Sequence, residues 1–208
     1  MKIRCCRCEV SELADPALYE RALSQLEWPE RREKLEKFRF DKDKRLCLGA
    51  GLLAARMLKE AGAVSLDISR SQSGKPGLAR DCGIHFNISH DGELAVCAVA
   101  DVPVGVDVQR IPEYDPGLAR SVLHPRELAW AEASPGRAAA FTRIWTRKES
   151  FLKLRGSGIT GDLKALCVLP GEEPADAYFS ELALGGYLIC VCCGAPRETE
   201  FSALTLFG

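Results

Sequence analysis

An aspartate inside an otherwise apolar run, Val104-Gly105-Val106-Asp107-Val108, is the first residue of this sequence that asks for chemistry. A carboxylate in such a run is costly to bury unless a cation or several hydrogen-bond donors compensate it. It can cap a strand end or pair with an arginine; it can also hold a metal. A second acid lies in Trp145-Thr146-Arg147-Lys148-Glu149-Ser150-Phe151-Leu152-Lys153, where four-residue spacing puts Trp145, Glu149 and Lys153 on one helix face. Glutamate four residues before lysine is an ordinary surface ion pair. Together with Asp107 it becomes something more specific, because Mg²⁺ takes oxygen ligands, typically one or two carboxylates completed by substrate phosphate and water.

Further polar groups stand where side chains can reach a ligand. Ser89-His90 ends a strand pattern at the turn Asp91-Gly92. Neighbours on a strand point to opposite faces, so a direct serine–histidine nucleophile pair is not expected, and the two can equally cap the turn. Lys75 sits in the loop Gly74-Lys75-Pro76. From Arg31 to Arg45 eight Lys/Arg stand against four Asp/Glu, with Arg31 and Lys34 on one helix face. Such a run suits either a solvated helix or a polyanionic ligand. Gly156-Ser157-Gly158-Ile159-Thr160-Gly161 matches the dinucleotide fingerprint letter for letter, but a helix precedes it and a strand pattern follows, the reverse of the required context. No Gly-x-x-x-x-Gly-Lys-Ser/Thr phosphate loop is present.

The elements that must position these groups are legible as periodicities. Residues 16–38 read as helical and charged, 41–61 as a largely buried helix stopped by Gly62, and 136–155 as a helix stopped by Gly156. Residues 84–89, 94–100, 104–108, 163–169 and 186–193 read as strands. Two helix-then-strand halves meeting near Asp101 suggest an α+β fold of two lobes, residues 1–101 and 102–208, although no sequence repeat marks a duplication. At 208 residues, 47% apolar and 27% charged, the chain can build a real core, and no stretch approaches the ~20 apolar residues of a membrane span. A net charge of −1 argues against a nucleic-acid binder. The opening residues carry no apolar signal segment, so a cytoplasmic chain is expected. The ten cysteines include Cys5, Cys6, Cys8 and Cys190, Cys192, Cys193, whose spacings are not those of zinc sites; they read as small buried hydrophobes in strands.

Taken in order, Gly74-Lys75-Pro76, Phe86-Asn87-Ile88-Ser89-His90-Asp91, Gly105-Val106-Asp107-Val108 and Trp145-Thr146-x-Lys148-Glu149-Ser150-x-x-Lys153-x-x-Gly156-x-Gly158 resemble the 4′-phosphopantetheinyl transferases, in particular the two-lobed type that activates surfactin synthetase. The resemblance implies Mg²⁺-dependent transfer of the phosphopantetheine arm of coenzyme A to a serine of an apo acyl, peptidyl or aryl carrier protein, releasing adenosine 3′,5′-bisphosphate. It implies Asp107 and Glu149 as metal ligands, Glu149 and Lys153 in acid–base roles, and Lys75, Ser89 and His90 against the nucleotide and its phosphates. Arg31, Lys34 and Arg45 are similar to the family's basic phosphate-binding positions. Many relatives carry an acid two residues after the aspartate. Here Gln109 takes that place, on the same side of the strand as Asp107, offering an oxygen to the metal or to its water but no charge. The resemblance also implies two pseudo-symmetric α+β lobes with the active site in the cleft between them, and, since one chain then forms the whole cleft, a monomer. A coenzyme A or carrier-binding module without catalysis, and a magnesium phosphohydrolase, are the competing readings.

Overall fold

In the computed structural model residues 2–158 and 163–207 are described. Ile159, Thr160 and Gly161 of the glycine-rich stretch lie outside them. The chain runs through β1 (Ile3–Glu9), a 3-10 turn, α1 (Pro16–Ser24), α2 (Pro29–Lys37), α3 (Asp41–Glu60), β2 (Ile68–Arg70), β3 (Pro76–Leu78), β4 (His85–Asp91), β5 (Leu94–Ala100), β6 (Val104–Arg110), α4 (Pro116–Val122), α5 (Pro125–Ala133), α6 (Arg137–Arg155), β7 (Tyr178–Leu184), β8 (Tyr187–Cys193) and β9 (Thr199–Ala203).

Two sheets form the centre. One has the order β4-β5-β1-β9, antiparallel except for the parallel β1/β9 pair; the other is antiparallel, β6-β8-β7. Strand alternation explains how they stack. Ile3, Cys5, Leu94, Val96, Ala98 and Ala100 meet Val104, Val106, Val108, Ile189, Val191 and Cys193 in one intersheet core. The opposite faces of β1 and β5, with Cys6, Cys8, Ala95, Cys97 and Val99, pack beneath α3. Burial on both faces is why β5 is apolar at every position. The far side of the second sheet is covered by α6. A Cβ on Gly105 would lie 2.0 Å from the Ser150 carbonyl oxygen and 2.4 Å from the Leu154 nitrogen, so this glycine lets α6 rest directly on the β6 backbone. Helix, sheet, sheet and helix thus form successive layers.

The 101/102 division falls in the turn between β5 and β6, whereas β9, from the end of the chain, returns to pair with β1. The single helical stretch expected over 16–38 is two helices. Pro29 holds the preceding Trp28 extended (φ −102°, ψ 99°) and then opens α2. The strand expected over 163–169 does not form. Its backbone is taken by a buried ion pair: Lys148 donates to the carbonyls of Leu163 and Leu166, and Val168 donates to Glu127. Lys148 and Glu127, 2.7 Å apart, have side chains only 1% and 0% exposed. The other helix and strand expectations hold, with α6 ending on Gly156 in the left-handed conformation (φ 65°). The two cysteine clusters lie buried in β1 and β8, all ten thiols are free, and no group of three or more His, Cys, Asp or Glu able to hold a metal occurs among the described residues. Nor is any described helix long and apolar enough to cross a membrane.

Candidate active site

Where the valines of β6 face the intersheet core, Gly105, Asp107 and Gln109 necessarily face the other way, toward α6. Asp107 is therefore 1% exposed, a carboxylate beneath a helix. Three donors compensate it: Ser89 Oγ at 2.8 Å and Lys153 Nζ at 2.6 Å, both on Oδ1, and Gln109 Nε2 at 3.1 Å on Oδ2. Lys153 also donates to Ser89 Oγ at 2.8 Å, closing a triangle across three elements.

β4 and β6 share no ladder and are joined through side chains. Asn87 accepts from the Val106 N–H (2.9 Å), Ser89 bonds Asp107, and Asp91 accepts from the Arg110 N–H (2.7 Å). These are alternate residues of β4, so its polar face is the one turned to β6. His90, one position out of phase, turns toward the basic wall instead. Ser89 and His90 do not form a pair, as strand alternation requires.

Glu149 lies one helical turn before Lys153 on α6. Its Oε1 is buried without a hydrogen-bond partner. Desolvation, and then the neighbouring Asp107 charge, push its carboxyl above the ordinary range, while Lys153 pulls the other way. An orphaned acid oxygen beside a second acid and a neutral amide is an all-oxygen donor set of the kind Mg²⁺ takes, so the residues present fit the cation.

Opposite this group stands the basic wall. Arg31, 8% exposed, donates to the Cys47 carbonyl at 2.7 Å and lies 4.6 Å over the Trp28 ring. Lys34 lies 5.4 Å over the Phe38 ring. His90 keeps an exposed edge, but crowding within the cleft, followed by the charges of Arg31, Lys34 and Lys153, holds its pKa below the usual imidazole value. Arg31, Lys34, His90, Asp107, Gln109, Glu149 and Lys153 line one cleft of about 420 Å³, and a second recess of about 280 Å³ shares Pro76, Ile88, Glu149 and Lys153 with it.

Two expected residues stand differently. Arg45 is not in this cleft: it faces Glu93 at 3.6 Å and lines a separate hollow with Tyr19 and Lys44. Arg45 and Cys47 are two residues apart on α3, about 200° around the helix, and it is the Cys47 side that meets Arg31. Lys75 does line the recess, but its ammonium donates to the carbonyls of Val104 (3.0 Å) and Leu154 (3.2 Å), and burial lowers its pKa to about 8. Sequence reasoning missed Trp28 and Arg70, which line the cleft, and the joining role of Asn87. Arg70 stands in a segment without periodicity, and Trp28 at the break between α1 and α2, inside the stretch that reads as one helix; Asn87 carried a signal, a polar residue on a half-apolar strand.

Known proteins match this chain along most of its length. Residues 15–102 match the family model "4′-phosphopantetheinyl transferase, N-terminal" and residues 103–192 the model "4′-phosphopantetheinyl transferase superfamily". The 4′-phosphopantetheinyl transferase psf-1 of Bacillus pumilus is 32% identical over 187 residues, covering 82% of this chain and 80% of that protein. The 4′-phosphopantetheinyl transferase Sfp of Bacillus subtilis is 30% identical over 189 residues, covering 83% and 84%. The 4′-phosphopantetheinyl transferase gsp of Aneurinibacillus migulanus is 34% identical over 137 residues, covering 60% of this chain and 56% of that relative's length. The chain belongs to the 4′-phosphopantetheinyl transferase superfamily.

Proposed function

We propose that this protein transfers the phosphopantetheine arm of coenzyme A to a serine hydroxyl of an apo acyl, peptidyl or aryl carrier protein, with Mg²⁺ as cofactor and adenosine 3′,5′-bisphosphate as the leaving product. The observation that carries the reading is the meeting of Asp107 from β6 with Lys153 from α6, beside Glu149 and facing the basic wall of the same cleft.

In this reading the serine oxygen forms a bond to the pantetheine-bearing phosphorus while the bond from that phosphorus to the bridging oxygen of the pyrophosphate breaks. Glu149, whose buried Oε1 has no other hydrogen-bond partner, or a water it shares with the cation, takes the serine proton. Lys153, tethered by Asp107 and Ser89, places its ammonium where the departing phosphate gains charge. Arg31, Lys34 and His90 hold the phosphates at the adenosine end. Asp107 and Glu149 would hold Mg²⁺, with Gln109 beside them; the bound cation neutralises pyrophosphate charge. Ten free thiols suit a cytoplasmic setting, and the cleft is built from one chain, which suits a monomer.

One incubation tests it: protein, coenzyme A, Mg²⁺ and an apo carrier protein, with the intact mass of the carrier as readout. A gain of one phosphopantetheine arm is the expected result. Free phosphopantetheine with an unmodified carrier would make the protein a hydrolase, and coenzyme A binding without either product would make it a binding module.

A further inference from the structure

Lys75 belongs to a tight loop, in which the Ser71 N–H donates to the Lys75 carbonyl at 3.0 Å, the Lys75 N–H donates to Ser71 Oγ at 3.1 Å, and Gly74 has φ 82°. This presents the lysine side chain to the second half of the molecule, where its ammonium reaches two carbonyls. One, Val104 at 3.0 Å, opens β6; the other, Leu154 at 3.2 Å, is in the last turn of α6. The last four carbonyls of a helix lack intrahelical donors and the end of its dipole is negative, so a lysine there satisfies an orphan acceptor and complements the charge.

The location matters more than the bonds. Leu154 and Ser150 are the α6 residues whose backbone touches β6 at Gly105, one residue beyond Val104. Lys75 thus clasps β6 and α6 at the point where their backbones meet. These two elements carry Asp107 on one side and Glu149 and Lys153 on the other. Ser73 of the same loop stands 3.3 Å from where a Cβ of Gly156 would be, so the loop is seated against the end of α6 as well.

We infer that Lys75 is a positioning residue: it clasps α6 to β6 and so sets the separation of Glu149 and Lys153 from Asp107, rather than binding the nucleotide. The inference deepens the transferase reading and rests on it for its kinetic consequence, although the clasp itself can be measured without turnover.

The test compares native protein with Lys75→Met and Lys75→Arg, by steady-state transfer kinetics and by amide hydrogen exchange of the last turn of α6. A clasp predicts that Lys75→Met lowers kcat about tenfold or more with the KM for coenzyme A changed less than about twofold, since geometry at the reacting groups is lost and substrate binding is not. It also predicts faster exchange at residues 152–156. Lys75→Arg keeps donors at the site and should retain native exchange protection and kcat within about threefold. A raised KM with kcat and exchange unchanged in Lys75→Met would make Lys75 a nucleotide contact and overturn the inference. So would an arginine variant as slow and unprotected as the methionine one, which also answers the question if Lys75→Met does not fold. If the native protein transfers nothing, the transferase reading falls by itself, and the exchange measurement decides the clasp.

Discussion

Lys153 Nζ stands 2.6 Å from Asp107 Oδ1, joining the second-half helix to the strand nearest the first half. The lysine side chain is 28% exposed and the aspartate 2%, so the acid is the partner that depends on the pair. Removing one member of such a pair leaves a buried charge undercompensated. Lys153→Met is therefore expected to destabilise the protein by about 2 kcal/mol, moderated by the Ser89 and Gln109 donors that remain. Asp107→Asn combined with Lys153→Met should recover part of that loss while transfer stays abolished. Urea unfolding of both single variants and the double variant measures it; strict additivity of the two losses would show that the pair is not coupled.

Glu149 pairs an unsatisfied buried oxygen with a neighbouring negative charge, an arrangement that disfavours the folded protein and suits a cation. Glu149→Gln should abolish carrier modification while leaving the melting temperature unchanged or higher. Substantial residual transfer would mean that another group takes the serine proton.

The same residue sets a pH dependence. Its folded pKa is raised above the ordinary carboxylate value, so between those two values the native state holds a proton that the unfolded chain has lost. Stability from this group is fully present below the ordinary value and is lost as pH rises through the raised one. In chelator-treated protein, unfolding free energy measured across this range should fall with pH more steeply for the native chain than for Glu149→Gln. Parallel profiles would remove Glu149 from the account.

Gly105 admits α6 to the β6 backbone, with no room for a Cβ against the Ser150 carbonyl. The clash is with backbone on a packed helix, so Gly105→Ala should cost about 3 kcal/mol or more, by pushing α6 away. Because Glu149 and Lys153 ride on that helix, kcat should fall further than the loss of folded protein explains. A variant of native stability and rate would show that the two elements separate freely.

Gln109 offers Asp107 an N–H where an acid would offer the cation a charge. Gln109→Glu should lower the half-activating Mg²⁺ concentration, by about tenfold if a third carboxylate joins the donor set. Binding of Mn²⁺ followed by electron paramagnetic resonance gives a readout independent of turnover. Unchanged values in both measurements would place residue 109 outside the cation's environment.

Much of this architecture is legible along the chain because its signals are local. Alternation marks β4, short apolar runs bounded by turn residues mark β5 and β6, the four-residue spacing of Trp145, Glu149 and Lys153 marks one face of α6, and Gly156 marks its end. The motif order from Gly74 to Gly158 carried the family resemblance. What was lost was lost to long-range partners. Residues 163–169 have strand-like composition, but Lys148 and Glu127 claim their backbone groups, and neither ion can be seen to be buried until α5 and α6 pack.

The site divides in the same way. Residue types and spacing determined by themselves that Asp107 must be compensated and that Glu149 and Lys153 share a face, since strand and helix periods are properties of the local backbone. Which lysine compensates Asp107, that Arg45 turns to Glu93, and that Lys75 faces two carbonyls were decided only in three dimensions. A long cationic side chain is placed by whichever acceptors the packed layers bring within its reach, and those acceptors come from segments up to 79 residues away in the chain.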